Sequence, residues 1–187
     1  MTPSTPTFDQ EELLHLAIDA TRRGDHGAAL AFLKEGAQRF PDDARLAYML
    51  GAEHAQIGLY DRAEQEFERA LELAPELHAA RFQLGLLRMT NGNVVGARAG
   101  WQPLEDMLPA GHALVLFKQG LEALADERID EARRLIESGL AANDFSPELN
   151  TDMENLLARI GTPPQAEATA ESGEHLWLSA YRTDGGH

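Results

Sequence analysis

Apolar residues along this chain return at two intervals at once. Over short stretches they fall three and four places apart. Leu46, Ala47 and Leu50 do so with His54 next in line, and Ala63, Phe67, Ala70 and Leu71 follow the same rule. That spacing marks one face of a helix. Over longer stretches the pattern itself recurs with a 34-residue period, in units beginning at Gln10, Ala44 and His78. Small residues hold the eighth place (Ala17, Gly51, Gly85) and the twentieth (Ala29, Ala63, Ala97). Large apolar residues hold the twenty-fourth (Leu33, Phe67, Trp101), and proline the thirty-second (Pro41, Pro75, Pro109). A period of this length predicts a stack of similar supersecondary units.

Within one unit the elements follow from punctuation. In the second unit, Gly58 is placed to end a first helix through positive φ. Asp61, with Glu64 three residues on, is the expected N-cap and capping box of a second helix, and Pro75 is its stop. Gly51 and Ala63 let the two helices approach, and Phe67 fills the volume they leave. A buried Phe or Leu contributes about 1.5–3 kcal/mol, too little for a lone hairpin to offset its ordering entropy. Such hairpins therefore occur in runs.

These positions are the ones that define the tetratricopeptide repeat, and the chain resembles three such repeats at 10–43, 44–77 and 78–111. A degenerate fourth covers about 113–146: Gly120, Ala132 and Ile136 keep their places, while Glu127 replaces the turn glycine and Asp144 the proline. Ser146, Pro147 and Glu148 then start a further helix over 147–160, resembling the cap of such an array. The expected fold class is all-α, a right-handed α-solenoid spanning 10–160 with a C-terminal capping helix. Residues 1–9 read as a disordered N-terminus and 161–187 as a flexible tail with an aromatic segment at 175–182. Gly100 and Pro103, inside the second helix of the third unit, predict a kink or break there.

The resemblance implies a concave surface lined by the first helix of each unit. Its candidate groove residues are Leu14, Ile18, Tyr48, Ala52, Phe82, Leu86, Met89, Leu114, Phe117, Leu121 and Leu124. Thr21 and Arg45 stand on the same rows. This lining is apolar and aromatic, suited to an amphipathic helix or extended apolar segment. The lysine/asparagine carboxylate clamp of one chaperone-binding subtype is not matched, since its places hold Leu14, Ile18, Met49, Ala79 and Gln83. Groove character alone is shared with bacterial type III secretion chaperones. In the tail, Leu176, Trp177, Leu178 and Tyr181 follow an Ala-, Pro- and Glu-rich tether whose reach is about 20 Å. Three readings stand for this segment: an internal ligand of the groove, in cis or from a second copy; a docking motif for another protein; or an extra helix against the cap.

Composition narrows the function classes. The formal net charge is −15, which disfavours nucleic-acid partners. The absence of cysteine removes disulfides and thiolate chemistry. No apolar run reaches the ~20 residues of a membrane span, and a cytoplasmic protein is expected. Lys34 and Lys118 are the only lysines against many arginines, a usage that points to a high-GC bacterial genome. No phosphate-cradling loop, metal-ligand spacing or nucleophile–base pairing occurs, so neither enzyme activity nor a cofactor is expected. His15 lies four residues from Glu11, an ordinary helix-face couple, and Glu64, Glu66, Glu68 and Glu72 read as a solvated face. The expected role is a protein-binding adaptor or chaperone-like module, with a self-associating structural protein as the alternative.

Overall fold

The computed structural model describes residues 8–160, which form ten helices and no strand. They are α1 (Gln10–Arg22), α2 (His26–Arg39), α3 (Ala44–Gln56), α4 (Tyr60–Leu73), α5 (His78–Thr90), α6 (Val94–Trp101), α7 (Pro103–Met107), α8 (Ala113–Ala125), α9 (Ile129–Ala142) and α10 (Pro147–Ile160). Two compact units divide within α5, one through Leu84 and one from Gly85 on. In the first, α1 packs on α2, α2 on α3, and α3 on α4. In the second, α8 packs on α9 and α9 on α10, while α6 and α7 both reach α8.

Four turns share one design. Gly24, Gly58 and Gly92 take φ of 71°, 76° and 82°, and Glu127 takes 59°. In each, the next residue's amide reaches back to a carbonyl five places earlier: Asp25 to Ala20 (2.9 Å), Leu59 to His54 (2.8 Å), Asn93 to Arg88 (2.8 Å) and Arg128 to Ala123 (2.9 Å). This closure satisfies carbonyls that the helix end would leave unpaired.

The second helices then start at once. Asp25 caps α2 by accepting from the Ala28 amide, and Asn93 caps α6 by accepting from Gly96. At α4 the expectation fails. Leu59 occupies the cap position with no side-chain bond, and Asp61 already lies in the first turn. The Leu59 amide is committed to His54, so the cap falls two residues before the acid expected to fill it and the helix begins at Tyr60. Phe8 and Asp9, counted with the polar N-terminus, open α1 instead. Asp9 and Glu12 close a reciprocal capping box, and the Phe8 ring meets Phe32 edge-on at 6.4 Å.

Close helix approach rests on the small residues of the period. A Cβ on Gly51 would stand 2.7 Å from the Phe67 ring, and one on Gly85 would overlap the Trp101 indole. Pro103 breaks its helix into α6 and α7 at Gln102, while Trp101 and Leu104 on either side stay fully buried. Ser146 accepts from the Leu149 amide at the start of α10, whose Leu149, Met153 and Leu156 are buried.

Candidate interaction surface

In the first unit the equivalent faces of α1 and α3 lie side by side. Glu11 and Arg45, each the second residue of its repeat, form an ion pair at 2.8 Å. Asp43 holds Arg45 from below through its side chain and accepts the Arg45 amide. The cost of burial raises the Asp43 pKa, but hydrogen bonds from Arg45 and Gln10 outweigh it and leave the carboxyl below its ordinary value. Along the same faces, Ile18, Tyr48 and Ala52 are half-buried. Tyr48 leans on Phe67, with centroids 6.0 Å apart, and packs against the Ala47, Ala70 and Ala80 cluster.

The other groove candidates sit deeper than the periodic pattern places them. Leu14 belongs to the core cluster of Ala17, Leu33, Leu46 and Leu50. Phe82, Leu86, Met89, Leu114, Phe117, Leu121 and Leu124 are all buried. Phe117 is wedged against α9, where a Cβ on Gly139 would come within 2.5 Å of its ring. Counting along the period identifies the helix face but not its cover. Side chains of this size on such a face serve first as packing. Leu176, Trp177, Leu178 and Tyr181 lie outside the described residues.

Two polar clusters escaped the sequence reading. Glu53 is 1% exposed and accepts from the Thr21 hydroxyl at 2.8 Å and pairs with His26 at 2.5 Å. It ties the first turn to α3, so Thr21 is a partner of Glu53 rather than an open groove position. In the second unit Lys118 is buried and bridges Glu105 (2.7 Å) and Glu122 (3.3 Å). The Lys118 and Gln119 hydrogen bonds hold the Glu105 carboxyl below its usual range. Neither residue carries a signal in a single sequence beyond standing on a helix with apolar neighbours. His15 bonds the Glu11 carbonyl at 2.7 Å, not its carboxylate, and His112 caps α8 through Leu114. Among the described residues no group of three His, Cys, Asp or Glu side chains could hold a metal ion, and no helix is long and apolar enough to cross a membrane.

The family profile described as Tetratricopeptide repeat matches residues 14–78 and 48–102. The chain carries tetratricopeptide repeats. Solved structures share the fold at low identity. MamA (residues 41 to its end) from Desulfovibrio magneticus RS-1 has a TM-score of 0.60 at 21% identity, covering 83% of this chain and 86% of that one. TTC0263, a thermophilic tetratricopeptide-repeat protein of Thermus thermophilus, reaches 0.67 at 18% identity and 81% of each chain. A chain of the Cut9–Hcn1 hetero-tetramer of the APC/C reaches 0.65 at 15% identity, over 81% of this chain and 33% of that one. No curated protein matches the chain. These likenesses put its fold in the all-α class, among the helical-hairpin solenoids of tetratricopeptide-repeat proteins.

Proposed function

We propose that the repeats are a non-catalytic interaction module, cytoplasmic and bacterial, that receives an apolar peptide or helix on the faces of its first helices. One observation carries this reading. The Glu11–Arg45 pair aligns α1 with α3, leaving Ile18 and Ala52 incompletely covered between them. A surface with an alanine for clearance and an ion pair at its rim suits an amphipathic segment. That Cut9 is solved with a bound partner, Hcn1, is in keeping with such a role.

The chain's own segment around Leu176, Trp177, Leu178 and Tyr181 is the proposed first occupant. A tethered ligand has an effective concentration near ~1 mM, so an outside peptide must displace it. The test uses a synthetic peptide of residues 165–187, titrated into the full chain and into a chain ending at residue 164. The shortened chain should bind it saturably, and the full chain should bind it more weakly. Ala52→Glu should reduce binding about tenfold or more through an unpaired buried charge. Equal binding by both chains rejects the internal-ligand reading, and indifference to Ala52→Glu rejects this face as the site. Light scattering that shows mass rising with concentration in the full chain only would assign the exchange to two copies.

A further inference from the structure

Between α2 and α4, over the C-terminal half of α3, the first unit contains a pocket of about 270 Å³. Leu50 and His54 of α3 contribute to its wall, with Lys34 from α2 and Arg62, Gln65 and Glu66 from α4 around them. His54 is 4% exposed, and neither of its buried ring nitrogens has a hydrogen-bond partner. Buried polar atoms are rarely left unmet, and such a group asks for an explanation. Among the described residues Lys34 and Arg62 form no ion pair. Two uncommitted cations on one pocket stand out in a chain of formal net charge −15.

We infer that this pocket binds a small phosphate-type oxyanion, its oxygens taken by the Lys34 ammonium, the Arg62 guanidinium and one His54 ring N–H. A metal ion is a poor fit, since both cations would repel it and one imidazole is the only neutral nitrogen ligand present. A tetrahedral oxyanion offers an acceptor to each of three donors arriving from different helices. The rim is made of long side chains, so it can admit an anion without any helix moving. Burial, then the charges of Lys34 and Arg62, keeps the His54 imidazole neutral, and only Glu53 beside it pulls the other way. A bound anion reverses that balance and favours proton uptake at the second ring nitrogen. Burial likewise pushes the Glu66 carboxyl up, which lessens its repulsion of an anion as pH falls. Because the pocket opens between the second helices, it is separate from the α1–α3 face proposed above, and the two readings can fail independently.

The experiment follows the His54 ring by NMR in the full chain, with the resonance assigned by His54→Gln. Inorganic phosphate is titrated at low ionic strength, with chloride as the control and glycerol phosphate as the ester arm. A saturable shift with phosphate, a rise in the His54 pKa on saturation, and about tenfold weaker binding in Lys34→Gln and in Arg62→Gln are expected. Both substituted residues are exposed, so thermal melts of the variants should match the parent. Tighter binding of glycerol phosphate would identify an organic phosphate as the ligand, and equal or weaker binding the free anion. A shift that never saturates, that chloride reproduces, or that survives both substitutions overturns the site.

Discussion

Glu127 holds a backbone conformation that glycine holds in three equivalent turns of this chain. A side chain in the left-handed region costs about 1–2 kcal/mol, offset in part by the lower entropy loss of a non-glycine residue. Glu127→Gly is therefore expected to stabilise the protein by up to about 1 kcal/mol, read as a shift of the urea midpoint at constant slope. His54 makes the opposite kind of statement. Its pKa lies below the ordinary 6.5 because burial disfavours the charged ring. Above that value both folded and unfolded chains hold the imidazole neutral, and its contribution is complete. As pH falls below it, the unfolded chain takes up the proton first, so stability drops until the lowered folded value is passed. The decline is at most about 1.4 kcal/mol per pH unit. Denaturation midpoints between about pH 7.5 and 5.5 should show this slope in the parent and a shallower one in His54→Leu. The strained turn was legible, because a missing glycine in a period is a visible gap. The buried polar partners were not. Glu53 looks like any helix-surface acid until Thr21 of α1 and His26 of α2 meet it.

At the scale of elements, the Gly58 turn and the Ser146 helix start were legible because residue type matched the geometry. Asp25 and Asn93 cap with nearly the same backbone, φ/ψ −86°/72° and −84°/65°. Leu59 adopts −87°/62° at the same place and offers no side-chain acceptor. Placing the cap at Asp61 is a register error of two residues, which arises when the nearest suitable side chain is taken as evidence of the boundary. Leu59→Asp should stabilise α4 by about 1 kcal/mol, and the melting temperature should rise accordingly. An unchanged midpoint would mean that Leu59, 41% exposed, already contributes as much through packing. Pro103 illustrates the reverse case, in which one residue dictates an outcome. Its lack of an amide and its fixed φ end α6 whatever surrounds it, and Pro103 becomes the first residue of α7.

For the molecule as a whole, stability in a repeat array is close to a sum of hairpins and the interfaces between neighbours. The last hairpin, α8 with α9, is covered by α10 through Leu149, Met153 and Leu156, and Asn143 links its end to Asn150 at 2.8 Å. Each of these apolar side chains is worth about 1.5–3 kcal/mol when buried. A chain ending at residue 146 should thus melt well below one ending at residue 164, with added tendency to aggregate. Similar melting of the two would show that α10 is not a structural cover. The period of small, large and turn residues determined by itself that this chain forms helical hairpins of the tetratricopeptide class. Those signals act over one helix turn or one hairpin, and they are written in consecutive residues. Only the tertiary structure decided which faces remain open. Leu14 and Phe117 obey the same periodic rule as Ile18 and Ala52, yet the first pair is buried and the second is half-exposed. Cover is a property of what packs against a face, and that comes from helices remote in the chain. For the same reason a buried Glu53, a bridging Lys118 and the Lys34–His54–Arg62 pocket existed only once the helices met.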